Sequence, residues 1–275
     1  MAENAPPTVN VDAYAPQEIA RRVETAGVKK AGLAALSTLV LAALAGAHIS
    51  FGAMFFELVI TDSGLGFGPN RLLGGLCFSL GLVLVVVGGA ELFTGNNLIV
   101  MAWADRLITT RALLRNWGLV YLGNMAGAFA MVGAAHLSGT LELGGGAVAQ
   151  TAVKIAASKV ALDPLQAFVR GILCNALVCL AIWLCFAAHT VSGKILAILL
   201  PISAFVALGF EHSVANMYLI PIGMLNATGA AAATLTPAAF ISNLIPVTIG
   251  NIVGGGVFVA LVYWIVYGRE RPNIE

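Results

Sequence analysis

Three ionisable side chains lie inside long apolar stretches: Glu91 in GGAELFTGNN, and Glu211 and His212 together in LGFEHSVANM. Ionisable groups in such stretches are costly and by default functional. An imidazole can donate a hydrogen bond and exchange a proton near neutral pH, so His212 is predicted to bind a small anion or transfer a proton. Each glutamate is instead predicted to hold the backbone around it, by accepting amide hydrogen bonds or by bonding Asn124 or Asn251.

Two further polar residues are candidates for the same site. Asn175 lies one turn into the apolar segment GILCNALVCL, and because a buried amide needs partners we expect it to bond Glu211 or His212. Lys159, in the linker before that segment, either draws anions toward a vestibule or is an ordinary loop lysine. The four cysteines lack metal-ligand spacing and are predicted to pack, so no metal or cofactor is expected.

The overall composition excludes several classes of protein. Of the 275 residues, 10% are charged and 59% are hydrophobic, with a mean hydropathy of +0.93 and a net charge of +1. So few charges cannot cover the surface of a water-soluble enzyme, and so small a net charge offers no basic field to nucleic acid. The apolar content also excludes a disordered chain. The sequence therefore predicts an all-α integral membrane protein in a lipid bilayer.

Runs without charged residues predict six membrane crossings. Two long apolar segments, 72–104 and 195–222, are too long for one straight crossing and too short for two with a turn. Each is predicted to be one crossing, the second and the fifth, whose helix is broken within the membrane. The four remaining runs suit one crossing each. They are 31–56, 116–141, 171–193 and 238–268, with a turn-rich break at 226–237 before the last.

Basic residues are distributed unevenly between the two sides of this arrangement. Ten of the 14 lysines and arginines fall on the side that holds both chain ends, and four fall on the other. By the positive-inside rule both termini are predicted to be cytoplasmic, and no signal peptide is expected. The predicted domains are a cytoplasmic segment with a surface helix at 1–30, a six-helix transmembrane domain at 31–268 and a cytoplasmic tail at 269–275.

Two short motifs recur in the same order in the second half of the chain, offset by 120 and 127 residues. Because each copy would contain three crossings, the second must enter the membrane from the opposite side, which predicts an inverted repeat. The motifs are Glu91 with Asn96, repeated as Glu211 with Asn216, and Gly123-Asn124-x-x-Gly127, repeated as Gly250-Asn251-x-x-Gly254.

Paired interruptions at matching positions predict a binding site in the middle of the membrane. The second half-helices begin near Thr94 and near Ser213, and the positive ends of their dipoles would point toward each other. A small negative solute is therefore the predicted occupant. Four side chains at the interruptions are predicted to be structural: Glu91, Asn96, Asn124 and Asn216.

Four long segments together resemble the formate–nitrite transporter family, and within it the formate channels most. They are GGLCFSLGLVLVVVGGAELFTGNNLIV, RNWGLVYLGNMAGA, GFEHSVANM and NLIPVTIGNIVGGG, and the resemblance runs from about residue 16 to 270. It implies an aquaporin-like protomer of six helices with the second and fifth broken. It also implies a homopentamer with a pore in each protomer, in the cytoplasmic membrane of a prokaryote.

The resemblance also implies roles for individual residues. His212 matches the family's central histidine, Glu211 the glutamate beside it, and Thr94 the threonine of the first break. Asn175 and Asn251 match supporting asparagines, and Lys159 matches a vestibule lysine. Six side chains match hydrophobic constrictions on either side of the histidine: Phe78, Leu82, Leu92, Phe93, Val178 and Phe205.

The implied activity is passive or proton-coupled transport of a small weak-acid anion, with formate first. Nitrite or hydrosulfide remains an alternative within the family, and a neutral-solute channel for water or glycerol is the alternative of another class. An enzyme is not expected, because neither H-E-x-x-H nor G-x-S-x-G occurs. The expected partners are small anions, the bilayer and further copies of the chain, without nucleic acid.

Overall fold

The computed structural model describes residues 12–268, and the regular structure within that range is helical, with no strand. Among the described residues, five helical runs are long and apolar enough to span a membrane, namely α2 (Ala35–Ile60), α3 (Phe67–Gly88), α5 (Thr110–Leu137), α7 (Pro164–Ala187) and Pro237–Gly268. The last begins as α11 (Pro237–Ile252) and continues in π-helical turns. The shorter helices are α1 (Pro16–Ala31), α4 (Val100–Ala104), α6 (Ala147–Val160), α8 (Val191–Ala207), α9 (Ser213–Asn226) and α10 (Gly229–Thr234), with 3-10 helices at Gly95–Ile99 and Thr140–Glu142.

The spanning helices do not begin where the charge-free runs begin, so several predicted bounds are wrong. α5 contains Arg111 and Arg115, and α7 contains Arg170. Caps set these helix starts: Thr109 accepts a backbone N–H at the start of α5, and Asp163 accepts two at the start of α7. A charged side chain in a terminal turn therefore does not end a helix. The predicted tail at 269–275 lies outside the described residues.

The helical backbone is interrupted twice at equivalent places. After α3, Gly89 has a φ of +81°, and helical structure resumes at Gly95. After α8, Gly209 has a φ of +72°, and α9 begins at Ser213. Both positions need glycine because other residues rarely adopt left-handed backbone. We call residues 89–94 the first interruption and residues 208–212 the second.

The two halves of the chain pack in the same way. In the first half, α1 packs against the 3-10 helix Gly95–Ile99, and α2 packs against α3 and α5. In the second half, α6 packs against α9 in the same way, and α7 packs against α8 and α11. Gly127 and Gly254 are equivalent, since a side chain on either would collide with a backbone carbonyl, of Ala43 and Ile172 respectively. This close approach of helices brings the asparagine three residues before each glycine to an interruption.

Candidate functional site

A closed ring of side chains surrounds the first interruption. The carboxylate of Glu91 accepts hydrogen bonds from Lys30 Nζ and from Asn96 Nδ2, both at 2.7 Å. Asn96 Nδ2 also donates to Asn116 Oδ1 at 3.0 Å, and Asn116 Nδ2 donates to the Lys30 carbonyl at 3.2 Å. The ring joins α1, the interruption and α5, and both oxygens of the buried Glu91 carboxylate have partners.

The second interruption carries the same ring. Glu211 accepts from Lys159 Nζ at 2.9 Å and from Asn216 Nδ2 at 2.6 Å. Asn216 Nδ2 also donates to Asn243 Oδ1 at 2.8 Å, and Asn243 Nδ2 donates to the Lys159 carbonyl at 2.9 Å. Lys159 lies on α6 rather than in a linker, and it neutralises Glu211 in an ion pair.

Asn124 and Asn251 fix the backbone of the interruptions by equivalent bonds. Asn124 Nδ2 donates to the Glu91 carbonyl at 2.8 Å, and Asn251 Nδ2 donates to the Glu211 carbonyl at 2.9 Å. The Oδ1 of each asparagine accepts the backbone N–H two residues beyond the glutamate, at 2.9 Å. The expected bond from the glutamate carboxylates to these asparagines is not formed, because lysine and asparagine side chains already occupy the carboxylates.

The two interruptions meet through a buried threonine–histidine pair. Thr94 Oγ1 lies 2.9 Å from His212 Nε2, and both residues are at most 3% exposed. His212 Nδ1 accepts the backbone N–H of Ala215 at 3.0 Å, so it caps α9 and is the unprotonated nitrogen. The proton of the neutral ring is then on Nε2, which donates to Thr94 Oγ1. The hydroxyl hydrogen of Thr94 then has no acceptor among the described residues.

Asn175 supports Thr94 rather than the second interruption. Its Nδ2 donates to the Thr94 carbonyl at 3.2 Å, to Asn97 Oδ1 at 2.8 Å and to the Asn251 carbonyl at 2.7 Å. The predicted bond to Glu211 or His212 is therefore wrong. The physical reason is that the amide faces the backbone of the first interruption, whose carbonyls need donors.

Apolar side chains surround the pair. The ring of Phe205 stacks on His212 with centroids 5.8 Å apart, and Phe78 packs edge-on against Phe205 at 5.6 Å. Phe93 packs its ring against Tyr121 of α5, with centroids 4.9 Å apart. All six predicted constriction side chains are buried: Phe78, Leu82, Leu92, Phe93, Val178 and Phe205.

Two cavities with no lining residue in common lie beside the two interruptions. The first cavity has a volume of about 320 Å³, and Leu92 lies in its wall. The second has a volume of about 180 Å³, and His212 and Phe205 lie in its wall. Thr94 lines neither cavity and is buried at the point where the two interruptions meet. The charged residues are Lys30, Glu91 and Lys194 in the first cavity, and Arg71, Lys159, Arg170 and Glu211 in the second.

Sequence reasoning missed three members of the rings, and the signal for them was present. Lys30 and Lys159 are 129 residues apart, and Asn116 and Asn243 are 127 apart, close to the offsets of the two recurring motifs. Extending the repeat to these positions would have found all three missed residues. Within residues 12–268, no group of three His, Cys, Asp or Glu side chains is placed to hold a metal ion.

Comparison with known proteins agrees with this geometry. The family model described as formate/nitrite transporter matches residues 17–265. The formate channel FocA of Escherichia coli strain K12 is 43% identical over 277 residues, which cover 95% of this chain and 97% of that protein. A probable formate transporter of Methanothermobacter thermautotrophicus is 43% identical over 249 residues, covering 84% and 89%. The resemblance found in the sequence is thereby confirmed.

Solved structures have the same fold. A pentameric formate channel with formate bound has a TM-score of 0.79 at 40% identity, covering 86% of this chain and 98% of that one. An ion channel of the FNT family has a TM-score of 0.83 at 30% identity, covering 90% and 98%. These similarities and the apolar spanning helices confirm the all-α membrane fold.

Proposed function

Since the chain belongs to the formate/nitrite transporter family, we propose that it conducts formate and similar small weak-acid anions across a cytoplasmic membrane. The family is one of channels and transporters, which confirms that the chain is not an enzyme. The proposed orientation places both termini and α1 on the cytoplasmic side. The excess of lysine and arginine on the side of the two termini favours that orientation.

We propose a homopentamer with a pore in each protomer. A solved relative of 40% identity is described as a pentameric formate channel with formate bound. The two cavities and the buried pair all lie within one chain. Their place within a single chain supports a separate pore in each protomer.

The observation that carries the proposal is the hydrogen bond between Thr94 and His212, at the place where the two interruptions meet. Lys30 and Lys159 supply positive charge beside the two cavities, although each is paired with a glutamate. The apolar side chains around His212 offer a hydrated ion little compensation for lost water. The buried donors of Thr94 and His212 then supply hydrogen bonds to the anion where water is excluded.

The hydrogen-bond geometry favours His212 as a donor to the anion over His212 as a source of its proton. To give a proton to the anion and be neutral afterwards, the imidazole ring must first carry protons on both nitrogens. The second proton would go on Nδ1 and would cost the bond to the Ala215 N–H. Donation from Nε2–H needs no such rearrangement, only the replacement of Thr94 Oγ1 by an anion oxygen.

The test is formate uptake by proteoliposomes containing wild-type protein or His212→Phe, measured between pH 5 and pH 8. The variant should lose most of the flux across this pH range, because it removes the Nε2–H donor and keeps a ring. His136→Phe, at an exposed position near the end of α5, is the matched control and should behave as wild type. Wild-type flux in His212→Phe would remove the histidine from the mechanism, and lost flux with an altered pH profile would favour proton lending over hydrogen-bond donation.

A second variant separates the two roles of the histidine. His212→Gln keeps an N–H donor near the position of Nε2 and cannot be protonated. It should retain a measurable part of the flux that His212→Phe loses. If both variants are equally inactive, proton lending replaces hydrogen-bond donation as the role of His212. Uptake of nitrite, hydrosulfide and glycerol by wild type, in the same vesicles, ranks the alternative substrates.

A further inference from the structure

Two arginines line the second cavity, and neither has a partner of opposite charge in the described part of the chain. They are Arg71, near the start of α3, and Arg170, in α7. Over residues 12–268 neither guanidinium lies within 4.0 Å of a carboxylate oxygen. Glu211 is the acidic residue in the cavity wall, and both of its oxygens are taken by Lys159 and Asn216. The cavity therefore holds two positive charges that no acidic side chain within residues 12–268 neutralises.

The two guanidinium groups lie close together. A Cβ atom on Gly209 would be 2.9 Å from Arg71 Nη2 and 3.9 Å from Arg170 Nη1. The two nitrogen atoms can be no farther apart than the sum of those distances. Like charges repel at such a separation, and an anion between them would convert the repulsion into attraction.

Backbone carbonyls hold both groups in place and leave most of their donors unused. Arg71 donates from Nε to the Ala207 carbonyl at 2.9 Å and from Nη2 to the Val206 carbonyl at 3.0 Å. Arg170 donates from Nη1 to the Gly209 carbonyl at 3.3 Å. A guanidinium has five N–H donors, so the larger share of the donors in this pair has no bond within the described residues.

We propose that Arg71 and Arg170 form a binding site for a small monovalent carboxylate in the second cavity, on the way to His212. The inference rests on the proposed function and adds to it an anion-binding site that is present in the second cavity and not in the first. Guanidinium groups suit this ligand, because their paired donors match the two oxygens of a carboxylate. In the register of the repeat, Arg170 corresponds to Leu41 and Arg71 corresponds to Val191, so the first cavity has no such pair.

The test compares formate flux in right-side-out and inside-out vesicles containing wild-type protein or Arg170→Leu. The substitution introduces leucine, which is the residue at the equivalent position in the first half, Leu41. From the side of the second cavity, the formate concentration for half-maximal flux should rise about tenfold, the loss expected for a charge-assisted hydrogen bond. Maximal flux from this side should stay as in wild type. From the other side, both the maximal flux and the half-saturating formate concentration should also stay as in wild type.

Two control variants keep the result specific. Lys154→Leu removes the same charge from an exposed place on α6 that does not line the cavity, and should leave the concentration dependence unchanged. Arg71→Lys keeps the charge and loses the planar pair of donors, and should give a smaller one-sided rise. If Arg170→Leu instead lowers maximal flux from both sides at constant half-saturation, the arginines only cap α8 and the proposal is wrong.

A binding measurement separates this inference from the proposed function. Crystals of the whole protein soaked in bromide should show anomalous scattering between Arg71 and Arg170, and none there in Arg170→Leu. A wild-type protein that carries no formate but shows this bromide peak would refute the proposed function and retain the anion site. A wild type that carries formate and shows no peak would refute the site alone.

Discussion

The two interruptions share one scaffold and differ at the residues that face the proposed path. Each has a left-handed glycine, a lysine–glutamate pair and the same asparagines in the same bonds. In the register of the repeat, however, His212 corresponds to Leu92, and Thr94 corresponds to Val214. The scaffold is symmetric because each half must satisfy its broken backbone. Under the proposed function the chemistry is asymmetric because one donor from each half is enough to bond one small anion.

The largest expected effect is loss of a scaffold asparagine. Asn124→Leu and Asn251→Leu each remove three hydrogen bonds and leave buried backbone groups without partners. Each should lower the free energy of unfolding by about 3–5 kcal/mol, seen as a large drop in thermal midpoint in detergent. Asn226→Leu, which loses one bond near a helix end, is the control and should cost far less. A large loss in only one half would contradict the equivalence of the scaffolds.

The next effect distinguishes the two lysine–glutamate pairs. The Lys159 side chain is 13% exposed and that of Lys30 is 31% exposed. Lys159→Met should therefore cost about 2–3 kcal/mol, and Lys30→Met less, because the lysine of the first pair is the more exposed to water. Adding Glu211→Gln to Lys159→Met should restore most of the thermal stability, since no charge is then left unpaired. Equal losses of stability in the two lysine variants would mean that the difference in burial does not make one ion pair more important to stability than the other.

A smaller effect is expected where the halves differ. Thr94→Val gives the first interruption the residue of the second and removes the free hydroxyl donor beside His212. Formate flux into proteoliposomes should fall about tenfold, equivalent to about 1.4 kcal/mol, while the thermal midpoint changes little. Thr38→Val, at a buried threonine that bonds only its own helix, is the matched control. Wild-type flux in Thr94→Val would show that the hydroxyl does not bind the anion.

The sequence was informative where a function depends on neighbours in the chain. Glu211, His212 and Asn216 lie in one short segment, so their setting in an apolar stretch could be read directly. Lys30 is 61 residues from Glu91, and a lysine at the end of an amphipathic helix has no signal of its own. Only the register of the repeat connects it to Lys159.

Asn175 shows a second limit of the sequence. A buried amide predicts that partners exist, but it does not tell whether they are side chains or backbone carbonyls. Its bonds go to the Thr94 carbonyl, the Asn97 side chain and the Asn251 carbonyl, all far from it in the chain. Interrupted helices leave such carbonyls without intrahelical partners. The need for a donor was therefore created by the fold, and residue types alone did not show it.

The smallest effect concerns a departure from symmetry that has no role in the proposed path. Glu57 on α2 is 1% exposed, and its position corresponds to Phe186 in the second half. Tyr218 Oη lies 3.5 Å from Glu57 Oε2, and Oε1 has no hydrogen-bond partner within the described residues. Glu57→Leu should thus raise the free energy of unfolding by up to about 1 kcal/mol and leave formate flux unchanged. Glu57→Gln, which keeps the polar group, should give no such gain. A loss of stability or flux in Glu57→Leu would show that this carboxyl group is needed, and that the first half contributes more than Thr94 to function.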